Sequence, residues 1–414
     1  MNKKKILVVL DGLGDLPSNK LNNKTPLESA NTPYLDKLTK NSKLGYMYTI
    51  KENIAPESDT ATLAILGYDP YKSYTGRGPL EAAGTSEKLG NNFLALRANF
   101  ATVKDNKIID RRVGRCLSTR EAKLLADFLN KNIMLPFKFK FTPTIQHRGV
   151  LIIYEKLSDN ISNTDPAYIR KGRLGIAIGS NTLNPCHPLD KSKASGLSAE
   201  IINSFTSQAE IFLEYHKVNK ARINEGLLPA NYILLRDAGN KLPSLKKKRD
   251  RWLAVAGMPL EIGLARLSGM HVVNFKLPKF NSNNINKSIH ANLIKTINVA
   301  NSSLRKHWNS FDSFYIHIKE TDIPGHDGNH KKKKGLIELI DKGFFKNLSR
   351  LQNCIICITG DHSTPCKLKR HSADPVPVLI YGKGTDSINK FSERNSKKGS
   401  LGKIYGKNLL KLLY

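Results

Sequence analysis

Between Asp322 and His371 five Asp and His side chains of this chain fall in a pattern that suits metal binding. Asp322 and His326 come first, in Thr321-Asp322-Ile323-Pro324-Gly325-His326. Asp361 and His362 follow in Thr359-Gly360-Asp361-His362-Ser363-Thr364-Pro365, and His371 closes the set. Carboxylates and imidazoles mixed in this way suit two divalent cations held close together. Such a pair clamps the attacking and leaving oxygens of a phosphoryl displacement. The C-terminal third therefore points to phosphate or sulfate ester chemistry.

Two upstream residues can complete such a site. Asp11 follows the apolar run Ile6–Leu10, and the glycines of Asp11-Gly12-Leu13-Gly14 let the backbone turn sharply. Ser58 opens a stretch that reads as a helix. Taken alone, a serine there is most often an N-cap. In a phosphoryl-transfer site it is a nucleophile, with the helix N-terminus stabilising the phosphoryl group. Asp322 and His326 have i, i+4 spacing, but Pro324 and Gly325 argue for a tight turn rather than a helix.

The elements that must position these residues read as α/β. Short apolar runs at Ile6–Leu10, Tyr232–Leu235, Ser313–Ile318, Cys354–Ile358 and Val376–Tyr381 lack clean alternation. That pattern fits strands of a parallel sheet covered by helices on both faces. Leu336–Asn347 and Pro259–Leu267 read as helices between them, with Pro259 at the first helical position. Asp11, Asp322 and Asp361 each fall just after such a run. Sites in open α/β sheets lie at the carboxyl ends of strands. The middle differs: Phe93–Val103, Lys107–Arg112 and Gly149–Leu157 read as strands, Thr119–Asn130 and Ala199–His216 as helices. We expect a discontinuous sheet domain, residues 1–84 and 231–414, with an inserted α+β domain at 85–230.

Composition narrows the class. Apolar residues make up 40% of 414, ordinary for a folded soluble chain. No stretch approaches the ~20 apolar residues of a membrane span. The basic start Met1–Lys5 leads into too short an apolar run for a signal segment, so the expected location is the cytoplasm. Five cysteines form no disulfide framework, and Cys354 and Cys357 read as core thiols. The net charge is +31. Nucleic-acid binding is the rival reading from another class, but no zinc-finger, RNP or heptad pattern supports it. The runs Lys246–Arg249 and Lys331–Lys334 read as solvated faces.

Taken together the motifs resemble the alkaline phosphatase superfamily, and within it the archaeal-type, cofactor-independent phosphoglycerate mutases. The resemblance rests on Lys24-Thr25-Pro26-Leu27-Glu28, Ser58-Asp59-Thr60-Ala61, Leu66-Gly67-Tyr68-Asp69-Pro70 and Tyr74-Thr75-Gly76-Arg77-Gly78-Pro79. It continues through Asn99–Val103, His147-Arg148-Gly149-Val150, Gly360–Pro365 and His371–Pro377, in family order. It implies an alkaline-phosphatase-like, mostly parallel sheet flanked by helices. It also implies Asp11, Ser58, Asp361 and His362 on one metal, and Asp322, His326 and His371 on the other. Mn²⁺ is implied most often, with Mg²⁺, Co²⁺ or Zn²⁺ in some members, and no 2,3-bisphosphoglycerate is needed. Ser58 would become phosphoserine. Three departures stand out: Glu57 in place of a glycine before the nucleophile, Ala167 in place of a histidine after Asp165-Pro166, and Asp237 where the family has glycine after Arg236. A carboxylate at position 57 is expected to point away from the phosphoryl group.

A mutase must also hold dephosphorylated glycerate and exclude water. Asp110-Arg111-Arg112-Val113-Gly114-Arg115 offers guanidiniums for a small carboxylate or phosphate. Strand alternation would put Arg111 and Arg115 on one face and Arg112 on the other, which ranks Arg111 and Arg115 first. His147, Arg148, Lys319 and Arg236 are further candidates for substrate contact. Asp110, Asp165 and His147 are candidates for the base that serves the glycerate hydroxyl. His317 reads as a satisfied core residue. The expected reaction is interconversion of 2-phosphoglycerate and 3-phosphoglycerate through a phosphoserine, a step of glycolysis and gluconeogenesis. The alternative is a phosphomonoesterase or another phosphomutase of the same superfamily. The partner is a small anionic substrate, with no membrane and no specific nucleic acid, and the oligomeric state is open.

Overall fold

The computed structural model describes residues 3–171, 174–177, 179–278 and 285–414. Strands along the described chain are β1 (Lys4–Leu10), β2 (Ser42–Tyr48), β3 (Leu94–Lys104), β4 (Lys107–Asp110), β5 (Phe139–Pro143), β6 (Arg148–Ile153), β7 (Tyr168–Lys171), β8 (Leu174–Ala177), β9 (Tyr232–Gly239), β10 (Trp252–Val255), β11 (His271–Val272), β12 (Ser313–Ile318), β13 (Cys354–Gly360), β14 (Val376–Tyr381) and β15 (Gly402–Tyr405). The larger sheet has the order β11-β10-β12-β1-β13-β14-β2-β15. The fold is α/β with a mostly parallel sheet flanked by helices.

β1 is central, and alternation along it explains why both faces are covered. Ile6, Val8 and Leu10 pack into one core with Leu293, Ile297, Ile337 and Phe344. Leu7 and Val9 pack into another with Leu63, Leu264 and Leu409. A strand buried on both faces reads as a continuous apolar run, which is how β1 appears in sequence. The helix Pro259–Leu267 starts on Pro259 as expected. No described helix is long and apolar enough to cross a membrane.

Two of the expected parallel strands differ. Val376–Tyr381 belongs to the large sheet but runs antiparallel to β13 and β2. Tyr232–Leu235 begins β9, which pairs antiparallel with β3 in a second sheet. That sheet has the order β4-β3-β6-β5, with β9 on β3 as well. Its core joins Leu94, Leu96, Ala98 and Phe100 to the helices Thr119–Asn132 and Lys193–Glu214. An apolar run states that a strand is buried but not its direction or its sheet.

Candidate functional site

The register of three strands brings the ligand-type residues together. Leu10 of β1 lies opposite Ile318 of β12 and Gly360 of β13. Asp11, Lys319 and Asp361 therefore leave the sheet side by side. Asp11, Asp361 and His362 form one group whose potential ligand atoms lie within 4.8 Å of one another; Asp322, His326 and His371 form another. Gly12 sits at φ +61°, and a Cβ there would come within 2.7 Å of Asp322 Oδ1, so only glycine fits between the groups.

Asp322–His326 is a short helix, not the turn expected. Pro324 lies in its first turn, where amides have no intrahelical acceptor to lose. Gly325 permits the close approach of Thr364, whose carbonyl oxygen would lie 2.4 Å from an added Cβ. His326 Nε2 is 3.4 Å from Asp322 Oδ2, and His371 Nε2 is 3.8 Å from Asp322 Oδ1.

The three histidines share one arrangement. His362 Nδ1 meets Thr364 Oγ1 at 3.0 Å, His326 Nδ1 meets Lys369 O at 3.2 Å, and His371 Nδ1 meets Pro56 O at 2.9 Å. Each Nε2 is thereby directed at the carboxylates, the pattern that fixes a metal-binding tautomer. Among the described residues, Asp11 Oδ1 and Asp361 Oδ2 are buried with no hydrogen-bond partner. Buried carboxylate oxygens left unpaired are costly unless a cation meets them, so the donor set fits divalent metal ions. Burial and the Asp11 charge push Asp361 well above the usual carboxylate range. Burial opposes ionisation of Asp11 too, but Lys319 and His317 outweigh it and hold the group low. Burial, then His371, lowers His362 to about 3, so its ring stays neutral.

Ser58 is the first residue of the helix Ser58–Ile65, every residue of which is buried. Its Oγ lies 3.2 Å from His362 Nε2 and 3.2 Å from Lys319 Nζ. Lys319 also contacts Asp11 and lies 3.4 Å from Glu261 Oε1. These carboxylates outweigh burial and keep the ammonium charged. His317 is buried and satisfied, as expected, by the Tyr315 hydroxyl at 2.7 Å and Asp11 Oδ2 at 3.1 Å.

Ser58, Lys319, Asp322, His326 and His371 open onto a cavity of about 740 Å³. Among the described residues seven arginines line it, including Arg77, Arg97, Arg112, Arg115, Arg148 and Arg236. The ranking of Arg111 over Arg112 is corrected here. β4 ends at Asp110, and Val113, Gly114 and Arg115 adopt positive φ, so strand alternation does not extend to the arginines. Arg112 and Arg115 line the cavity. Arg111 instead pairs with Asp165 at 3.0 Å and hydrogen-bonds Asn181 at 2.5 Å.

Glu57 also differs from expectation. It lines the cavity, with Oε1 3.7 Å from His371 Nδ1. Burial opposes its charge, but His371, Arg236 and Arg77 outweigh that and lower it to about 2. Sequence reasoning gave no role to Arg77, Glu81, Arg97, Glu261 or Tyr168. Glu81 holds Arg77 at 2.6 Å and Arg97 at 3.7 Å, and the Arg236 guanidinium stacks 3.6 Å over Tyr168. Arg97 was detectable: it is a charged residue set between the apolar Leu94–Leu96 and Ala98 of one strand. Burial, Arg77 and Arg236 lower it to about 9, a sign of guanidiniums crowded beyond what Glu81 neutralises.

The basic run Lys331–Lys334 is likewise not all solvated. Lys333 is fully buried, with Nζ donating to Asp15 Oδ2 at 2.9 Å, Thr364 O at 3.0 Å and Gly14 O at 3.1 Å.

A family model for 2,3-bisphosphoglycerate-independent phosphoglycerate mutase matches residues 39–219. A protein of that description from Thermococcus kodakarensis is 37% identical, covering 100% of this chain and 97% of its own length. One from Archaeoglobus fulgidus is 39% identical, over 98% of this chain and 96% of the relative. Among solved structures, the PH0037 protein of Pyrococcus horikoshii is similar with a TM-score of 0.77 and 32% identity, covering 100% of this chain and 97% of that one. A cofactor-independent phosphoglycerate mutase from Thermoplasma acidophilum is similar with a TM-score of 0.61 and 33% identity, over 99% of this chain and 98% of that one.

Proposed function

This chain belongs to the family of 2,3-bisphosphoglycerate-independent phosphoglycerate mutases, and from that membership we propose that it interconverts 2-phosphoglycerate and 3-phosphoglycerate through a phosphoserine at Ser58. One observation carries the reading. The Ser58 hydroxyl lies 3.2 Å from both Lys319 and His362 at the wall of an arginine-lined cavity. A nucleophile, a cation for the phosphoryl group and guanidiniums for a carboxylate are what the transfer needs.

Asp11, Ser58, Asp361 and His362 would hold one divalent cation, and Asp322, His326 and His371 the other. The family resemblance makes Mn²⁺ the first choice, and the oxygen and nitrogen donors equally allow Mg²⁺, Co²⁺ and Zn²⁺. When bound, the two cations supply Lewis-acid stabilisation of the transferring phosphoryl group. Ser58 Oγ, its proton given up to solvent, attacks phosphorus; the ester bond to glycerate breaks, the departing oxygen takes a proton, and the phosphoryl group passes to the serine. Lys319 neutralises charge on the phosphoryl oxygens. Arg112, Arg115, Arg148 and Arg236 hold the glycerate carboxylate while the molecule turns. The other hydroxyl then attacks and regenerates Ser58. Arg111 positions the loop that carries Arg112, through Asp165. Free thiols throughout the described cysteines suit a reducing, cytoplasmic setting.

The test is incubation of the purified protein with Mn²⁺ and 3-phosphoglycerate, following 2-phosphoglycerate and free phosphate together. Isomer should form without added 2,3-bisphosphoglycerate and cease with chelator. Ser58→Ala should lower the rate by about 10³-fold or more. Free phosphate appearing faster than isomer would identify a phosphatase instead.

A further inference from the structure

Return of the phosphoryl group requires a base for the acceptor hydroxyl of glycerate. Of the three groups the sequence offers, two do not line the cavity, and each has one carboxylate oxygen engaged elsewhere. Asp110 Oδ1 accepts the Arg112 amide at 2.6 Å. Asp165 Oδ1 accepts from Arg111 Nε at 3.0 Å and from the Ala167 amide at 3.2 Å. His147 differs from both. Its ring lines the cavity, it is only 3% exposed, and among the described residues its Nδ1 has no hydrogen-bond partner. An unpartnered buried imidazole nitrogen costs free energy, and a hydroxyl bound in the cavity beside the ring would relieve that cost.

We propose that His147 is the base that takes the proton of the glycerate hydroxyl as that oxygen attacks phosphoserine 58. The proposal rests on the mutase reading above. The step balances: the glycerate O–H bond breaks and its proton passes to the imidazole. The new O–P bond forms as the bond from phosphorus to Ser58 Oγ breaks. Ser58 leaves as an alkoxide beside the Lys319 ammonium at 3.2 Å, and in the first half-reaction that alkoxide attacks phosphorus while the imidazolium protonates the departing ester oxygen. The surroundings suit that cycle. Burial and then Arg148, Arg112, Arg97 and Arg115 hold the free ring well below its ordinary range, so it is neutral. The phosphoryl and carboxylate groups of the substrate offset those guanidiniums, so a proton is taken up when the cavity is filled.

The experiment uses the full chain loaded with Mn²⁺ and follows both phosphoglycerate isomers. His147→Ala is expected to lower kcat by about 10²-fold or more, the usual contribution of a positioned base. Added imidazole, which fits the space vacated, is expected to restore at least about tenfold of that loss. His147→Gln keeps the volume and should show the same loss with an unchanged melting temperature. Activity of either variant within about threefold of wild type, or a loss that imidazole does not reverse, overturns the assignment. Should the wild-type protein itself fail to interconvert the isomers, the mutase reading falls with it; should only the variant results fail, that reading stands.

Discussion

Glu57 shows how a single side chain can conflict with the site around it. A carboxylate next to the proposed nucleophile Ser58 would repel the phosphoryl dianion that approaches it. The structure directs it into the cavity, where His371, Arg236 and Arg77 keep it ionised at neutral pH. It therefore competes with substrate for the same cations. Two unit charges about 5 Å apart at an effective dielectric near 20 repel by about 3 kcal/mol. Glu57 is part-exposed, and screening reduces this to about 1 kcal/mol. Glu57→Gln should therefore lower KM for 3-phosphoglycerate by roughly fivefold, with kcat changed by less. Steady-state kinetics at fixed Mn²⁺ checks this; a rise in KM would show instead that the carboxylate orients His371. At this scale the residue types were legible, because ligand spacing and adjacent glycines survive as local pattern. What was not legible was direction. Arg111 and Arg112 are chain neighbours of one type, and only the left-handed turn at Val113–Arg115 decides which enters the cavity.

Elements position the ligands, and one helix does so through a charge inside the protein. Lys333, on the helix His330–Ile340, joins the loop after β1 to the loop after β13. Its three protons are all used, on Gly14, Asp15 and Thr364. Thr364 in turn meets both His362 Nδ1 and Asp322 Oδ1, at 3.0 and 2.7 Å. Lys333→Met would leave Asp15 charged and buried without its partner, a loss of about 3–5 kcal/mol. Because the loops carry the proposed ligands, Mn²⁺ affinity should fall as well, by about 10- to 100-fold. Thermal melts and Mn²⁺ titration check the two effects separately, and a melt lowered with Mn²⁺ affinity unchanged would refute the coupling between them. Nothing in four consecutive lysines marks the third as buried; that depends on helix phase and on two loops distant in sequence. By contrast, β1, β12 and β13 were legible, since each is an apolar run with Asp11, Lys319 or Asp361 just beyond its end. β9 and β14 look alike in sequence, and their pairing is set by long-range contacts.

At the scale of the molecule, the cavity is a joint between two sheets. Ser58, Lys319 and the ligand groups come from the large sheet and its loops, while Arg112, Arg115, His147 and Arg148 come from the smaller one. A mutase depends on that joint staying closed while glycerate is free, because an open site admits water to phosphoserine. Arg115 Nη1 reaches across to Asp327 Oδ1 at 2.9 Å, next to the proposed ligand His326. Both side chains are part-exposed, so the pair contributes about 0.5–1 kcal/mol, roughly two- to fivefold in the closed-to-open ratio. Asp327→Asn should therefore leave the melting temperature within about 3 °C and raise the ratio of free phosphate to isomer by about two- to fivefold. Arg115→Lys keeps a charge but not the planar fork, and should fall between wild type and Asp327→Asn. Measuring phosphate and both isomers in one reaction decides the matter. An unchanged ratio in Asp327→Asn would mean that the arginines around glycerate, and not this contact, keep the two sheets together over the phosphoserine.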